Sequence, residues 1–326
     1  MSTQAFLVIG ATGKTGQHTV QHLFEKGHAV RAMVHREDER SEALRGTGVE
    51  VVTGELLEHD DVIRAAAGTS AAYFCYPVRP GLIQATAYFA DAAKRAALKV
   101  VVNMSQISAR EDSKSHAARD HWIAERLFDW SGVPTVHIRP TFFSEWLLFP
   151  FVRSTIAENG IIDLPYGNGR HAPIAGEDQA RVIATILAEP AAHVVKTYPL
   201  CGPTELDQAG IAAAISEVLG RKISYRPLTI PQYRERLEKA GLPEFMIQHF
   251  CAVAVDYQNG LFSGEDKFIA ELTGKPPMTV QDFLASHREA FETKVITSAR
   301  GSMFRTIYNG FTDAILLTRR VDRHAR

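Results

Sequence analysis

Cysteine is scarce in this sequence. Three occur in 326 residues, Cys75, Cys201 and Cys251, far apart and never as a CxxC pair. That argues against a disulfide scaffold or a cysteine zinc site, and it fits a reducing compartment, so a cytoplasmic location is expected and no metal. A surplus of charge of one sign is also missing: 36 Lys and Arg face 37 Asp and Glu, for a formal net charge of −1. A dedicated nucleic-acid binder carries a basic excess, so no nucleic-acid partner is expected. No apolar run approaches the roughly 18 residues of a membrane span. The stretch 146–152 is short and broken by Pro150, so no membrane association is expected. The first residues lack a basic stretch ahead of an apolar one, so no secretory signal is expected. Long internal repeats and low-complexity linkers are absent too.

What is present is rhythm. Apolar runs at 5–9, 29–34, 49–53, 71–76 and 99–104 read as strands. Between them, 15–26, 59–67 and 82–98 read as helices, the first closed by Gly27. Strands alternating with helices predict parallel βαβ units with right-handed crossovers. Mostly apolar strands suit a sheet covered on both faces. The expected fold class is α/β, a Rossmann-type doubly wound parallel sheet.

The first strand runs into GATGKTG at 10–16. Glycines at such a turn allow unusual backbone angles and a close approach to a pyrophosphate. The helix that follows aims its free N–H groups and positive dipole end at the anion. GxxGxxG alone is a weak signal; after a strand and opening a helix it points to a dinucleotide. It is not a GxxxxGK[ST] phosphate loop, since only Ala11 and Thr12 separate Gly10 from Gly13. An NAD site carries Asp or Glu at the tip of the second strand. Here the strand ends Met33, Val34, His35, Arg36. A guanidinium there suits the 2′-phosphate of NADP(H), which is therefore preferred over NAD(H). The competing reading of Arg36 is a solvated arginine answered by the acids Glu37, Asp38 and Glu39 that follow it.

These features, with Gly54-Glu55-Leu56, Asn103 to Ser105, HWIAE at 121–125, WSG at 130–132, IRPTFFSE at 138–145, CGPT at 201–204 and LTGKPP at 272–277, resemble the NmrA-like family of atypical short-chain dehydrogenases/reductases. The resemblance covers about residues 1–293. It implies a dinucleotide-binding domain at 1–150 that recruits later segments, and a smaller mixed α/β lobe at 151–293 over the active cleft. The tail 294–326, with seven Lys/Arg and two Asp, lies beyond it and has no assigned role. The resemblance further implies that Gly10, Thr12, Gly13, Lys14, Thr15 and Gly16 hold the pyrophosphate and Arg36 the 2′-phosphate. Tyr76 and Pro77 would lie beside the nicotinamide half, with Ser105 at the end of the fifth strand. Tyr76 reads equally well as a packed aromatic. Phe142 and Phe143 read either as a flat substrate site or as core.

Short-chain dehydrogenases carry Tyr-x-x-x-Lys, in which lysine lowers the pKa of the proton-donating tyrosine one helical turn away. The corresponding segment here resembles His121-x-x-x-Glu125, and a glutamate cannot supply lysine's charge. Ser105 or His121 is then the candidate proton donor. The alternative for His121 is a helix-face histidine hydrogen-bonded to Glu125. In the second half, 208–219, 231–240 and 281–291 read as helices, 221–226 as a short strand, and 172–187 as a loop feeding a helix whose start Asp178 caps or charges. Tyr233, Phe245, Phe250, Tyr257, Phe262 and Phe268 are mostly core. Two functions fit. The first is an NAD(P)H-dependent reductase of a quinone or related conjugated small acceptor. The second is an NADP(H)-sensing regulator without turnover that acts through a protein partner. A homodimer suits either.

Overall fold

The structure is a computed structural model and describes residues 5–292; the expected tail at 294–326 lies outside them. Two compact units are formed, neither continuous in sequence. Among the described residues, the first comprises 5–140, 176–200 and 267–276; the second 141–175, 201–266 and 277–292. The sequence placed the division near residue 150 with later segments recruited. In the structure the chain leaves the first unit at Pro140.

The first unit is a seven-stranded parallel sheet: β1 (Ala5–Ile9), β2 (Val30–Val34), β3 (Glu50–Thr53), β4 (Thr69–Phe74), β5 (Val101–Met104), β6 (Thr135–Pro140) and β7 (Thr197–Leu200). Their order is 3-2-1-4-5-6-7. Strand order reverses between β1 and β4, so the loops leaving those strands open a crevice where dinucleotides bind. The connecting helices are α1 (Lys14–Glu25), α2 (Glu39–Gly46), α3 (His59–Ala66), α4 (Leu82–Arg95) and α5 (His116–Ser131). Leu7, Ile9, Ala72, Phe74 and Val101 face one side of the sheet and pack with Phe89 of α4 and Phe128 of α5. Phe74 meets those two rings at 4.8 and 5.5 Å.

Helix α6 (Gly176–Ala188) returns the chain to this unit, packs on α1, and leads into β7. Arg181 on α6 explains why 267–276 belong here as well. Its guanidinium donates to Thr273 Oγ1 at 2.9 Å and to the Lys275 and Pro276 carbonyls at 3.1 Å. Asp178 lies inside the first turn of α6, buried and ion-paired with Arg181, and puts an acid at the helix start. Helix α2, not expected from the sequence, is fixed by a capping box between Asp38 and Ser41.

The second unit is mainly helical, with Pro150–Asn159, Gln208–Leu219, Ile230–Lys239 and Glu244–Gln258. Two short strand pairs join them, Ile161–Ile162 with Ser224–Tyr225 and Arg170–His171 with Leu206–Asp207. The sequence reading missed helix Glu244–Gln258, whose aromatic positions follow no clean amphipathic period. Tyr233, Phe250, Tyr257 and Phe262 are buried, as expected of core aromatics.

Candidate active site

The dinucleotide loop is made by backbone. Gly10 sits at φ +66°, where a side chain strains the chain, and the Gly13 amide donates to the Gly10 carbonyl at 2.9 Å. A β-carbon on Gly16 would overlap the Gly10 carbonyl oxygen and lie 2.8 Å from its carbon, so the helix reaches the strand end this closely only with glycine there. The N-cap of α1 is Gly13, with no side-chain cap and no acid in the first turn. The N-terminus of α2 is capped by Asp38. A glycine-shaped turn leading into a helix start that has no side-chain cap fits a pyrophosphate. Thr12 and Lys14 are half-buried along it and Thr15 is buried.

Arg36 lies two residues past the end of β2, about half exposed, with its Nε 3.9 Å from Asp38. The Asp38 carboxylate accepts from the backbone N–H groups of Arg40 and Ser41 and from the Arg40 side chain. Burial raises the pKa of that carboxyl, but the Arg40 hydrogen bond and charge outweigh this and bring it below its usual value. Asp38 is thus committed to Arg40 and the helix cap, and holds Arg36 only at long range. His35 pairs with Glu55.

Tyr76 is buried and built into the turn after β4. Its hydroxyl donates to the Pro80 carbonyl at 3.0 Å, and Arg79 sits 5.2 Å over its ring. Pro77 beside it is exposed.

Beyond β5, Ser105 is buried, and its hydroxyl donates to Glu125 Oε1 at 2.6 Å. Glu125, fully buried on α5, also receives the Arg139 guanidinium from β6: Nε donates to Oε1 at 2.8 Å and Nη2 to Oε2. That hydrogen bond raises the pKa of Arg139, against the opposing effect of burial. The reading in which His121 bonds Glu125 does not hold. Both carboxylate oxygens are taken by Ser105 and Arg139, and His121 Nδ1, itself buried, has no partner among the described residues. Burial pushes the His121 imidazole down to about 4, the Glu125 charge only partly opposing it. One turn further on, His137 on β6 bridges Asn103 Nδ2 at 3.0 Å and Asp129 at 3.1 Å.

The sequence reading missed Arg139, Asn103, His137 and Asp129. Their signal was there in two patterns. His121, Glu125 and Asp129 share one helix face at i, i+4 and i+8, and His137 and Arg139 share one strand face at i, i+2.

In the second unit Phe142 packs among Trp146, Tyr166, His171, Tyr257 and Phe262, with ring centroids 4.7–5.9 Å away. Phe142 is nevertheless only half-buried, so part of its ring stays accessible. Phe143 is half-buried and stands outside this ring cluster, tied through its backbone to Ile174. Among the described residues no group of His, Cys, Asp or Glu is placed to hold a metal, and no helix is long and apolar enough to cross a membrane.

A doubly wound sheet with a glycine loop at its switch point defines a Rossmann-type dinucleotide-binding protein. A family profile described as NAD(P)H-binding matches residues 10–190. The NAD(P)H azoreductase of Xenophilus azovorans is 30% identical over 291 residues, 87% of this chain and 98% of that protein. The chain belongs to this NAD(P)H-binding family. Among solved structures, the triphenylmethane reductase of Citrobacter sp. complexed with NADP(H) is 25% identical with a TM-score of 0.76, covering 87% of this chain and 99% of that one. The NADPH complex of the Escherichia coli quinone oxidoreductase QOR2, 23% identical over 87% and 99% of the two chains with a TM-score of 0.78, shares the fold.

Proposed function

We propose that this protein is an NADPH-dependent reductase that passes hydride to a quinone or a related conjugated small acceptor, azo and triarylmethane dyes included. The observation that carries the cofactor half is the glycine-shaped loop at 10–16 feeding a helix start without a side-chain cap, with Arg36 at the neighbouring strand tip. The acceptor class follows the azoreductase and triphenylmethane reductase relatives. In this reading the loop from Gly10 to Gly16 holds the pyrophosphate on the α1 amides. Arg36 meets the 2′-phosphate. Tyr76 and Pro77 flank the nicotinamide half, and Ser105 stands at its strand end. When bound, the cofactor supplies the hydride, and the protein supplies position and electrostatics. His121 is neutral near pH 7 and so takes part only as a neutral imidazole. Phe142 and Phe143, both half-buried, are the aromatic candidates for substrate contact. Three cysteines without disulfide partners suit a reducing cytoplasm.

The alternative is an NADP(H) sensor without turnover. One observation favours it: the Ser105 proton is already given to Glu125. Anaerobic NADPH oxidation across small quinones, azo dyes and cationic triarylmethane dyes separates the two. Turnover is expected with NADPH over NADH. Arg36→Ala is expected to reduce that preference about ten- to thirty-fold, as loss of one charge-assisted contact does. Tight NADPH binding with no turnover on any acceptor would favour the sensor.

A further inference from the structure

We propose that the buried Glu125–Arg139 pair fixes Ser105 as a hydrogen-bond acceptor, so that Ser105 receives an N–H or O–H donor from the nicotinamide half of the cofactor and gives no proton to the substrate. The inference rests on the dinucleotide reading above.

A serine hydroxyl has one proton and two lone pairs. The Ser105 proton points at Glu125 Oε1, 2.6 Å away. Glu125 cannot return one. Its two oxygens accept the forked Arg139 guanidinium, which has donors only, so the paired carboxylate is an acceptor on both sides. The direction of the Ser105–Glu125 bond is therefore set by a group on a different strand. The carboxylate also has no way to turn aside: Glu125 is completely buried, and leaving Arg139 would strand its charge. Donating into a carboxylate polarises the hydroxyl and strengthens Oγ as an acceptor. Nothing among the described residues donates to Ser105 Oγ, so its lone pairs are unmet.

Position supplies the rest. Ser105 directly follows β5, its backbone N–H bonded to the Ile138 carbonyl at 2.8 Å. It therefore sits at the carboxyl end of a parallel strand, two strands from the one that carries the Gly10 loop. Ligands of such sheets bind beyond these ends. The nicotinamide half of a dinucleotide offers two kinds of donor, the carboxamide N–H and the ribose hydroxyls, and both suit an acceptor fixed in this way. Glu125 and Arg139 are then positioning residues, acting through Ser105.

The test is the equilibrium binding of NADP+ and of its 3-acetylpyridine analogue, which replaces the amide with a methyl ketone and so lacks the N–H. Affinities are measured on the full chain for wild type, Ser105→Ala, Ser105→Thr, Glu125→Gln and the Ser105→Ala/Glu125→Gln double variant. Ser105→Ala removes one small atom and is expected to weaken NADP+ binding three- to ten-fold, the size of one net hydrogen bond. Ser105→Thr, which keeps the hydroxyl, restores most of it. Glu125→Gln brings an N–H donor toward Oγ and frees the hydroxyl to turn, so it weakens binding only while Ser105 is present. A purely structural glutamate would act equally in both backgrounds. If the donor is the carboxamide, the Ser105→Ala loss disappears with the analogue; if it is a ribose hydroxyl, the loss persists. Wild type that binds NADP+ beside a Ser105→Ala variant within two-fold of it would overturn the proposal, and so would additive losses in the double variant. Wild type that fails to bind NADP+ would overturn the dinucleotide reading itself, and with it this one.

Discussion

Two regions at strand ends two strands apart in the same sheet are built by opposite means. The loop at 10–16 is backbone. Its shape comes from where side chains are missing, at Gly10 and Gly16, and its chemistry comes from amides that every residue carries. The cluster beyond β5 is all side chain. Ser105, Glu125 and Arg139 come from a strand end, a helix and the next strand, and each is defined by what the other two do. A backbone site is local, and a short stretch of sequence states it completely. A side-chain site assembled from residues 105, 125 and 139 exists only once the sheet has formed.

The largest effect that would break this comparison is on stability. Arg139→Ala leaves Glu125 buried with no counter-charge, a change that costs about 3–5 kcal/mol when one member of a buried pair is removed. Arg139 is itself partly exposed, with 27% of its side chain accessible, so the lower end of that range is expected. Urea unfolding of the variant measures it. A loss below about 1 kcal/mol would mean that water reaches Glu125, and that the cluster is less dry than its burial implies.

Next comes acid. A histidine pushed down to about 4 in the folded state, against an ordinary value near 6.5, binds its proton more readily when unfolded. The unfolded chain therefore holds more protons between those values, and stability rises with pH through that window. Read downward, His121 costs nothing above about pH 6.5. Its penalty grows as pH falls and levels off below about 4, at roughly 3 kcal/mol. His171, pushed by burial to about 3 in the second unit, acts in the same direction. Unfolding free energies at several pH values are expected to fall through this range in wild type and to fall by about 3 kcal/mol less in His121→Gln. An unchanged slope in that variant would place the acid sensitivity at His171 or the carboxylates.

Legibility followed the same divide. The sheet, its first five strands and the loop could be read directly because apolar runs, helix stops and glycine spacing are local signals. The arginine at 36, where an NAD site carries an acid, is a local signal of the same kind. Glu125 was legible as a missing lysine or a partner of His121, but not as the partner of Arg139, which lies fourteen residues on and meets it only when α5 packs back against β6. The same non-locality hid the recruitment of 267–276, which depends on Arg181 reaching carbonyls more than ninety residues away. Helix α2 hid for a different reason: its eight residues have one buried side chain, Ser41, so no apolar stripe marks it.

Gly16→Ala is the corresponding test of the backbone region. The added carbon meets the Gly10 carbonyl, which is main chain and cannot rotate away. Overpacking of this kind costs about 1–3 kcal/mol. Cofactor binding should suffer more than stability, because the shift falls on the loop proposed to hold the pyrophosphate. A thermal melt alongside an NADP+ titration separates the two. A variant that melts normally and binds normally would show that the loop has slack that the packing around Gly16 does not suggest.

The smallest effect sharpens the comparison instead. Gly10 and Val195 occupy nearly the same left-handed conformation, at φ +66° and +62°. At Gly10 the residue suits the angle. At Val195 it does not, since a β-branched side chain is strained there. The conformation is imposed by the return into β7, where the Val195 amide donates to the Thr135 carbonyl at 2.9 Å. The side chain contributes little in exchange, being 87% exposed. Asparagine tolerates the left-handed region, so Val195→Asn should relieve strain without loosening the unfolded chain as glycine would. A gain of about 1 kcal/mol is expected, seen as a melting temperature higher by about 2 °C for a chain of this size. No gain would mean that the return into β7 accommodates valine without strain, and that of these two left-handed positions only the one at the cofactor loop demands its glycine.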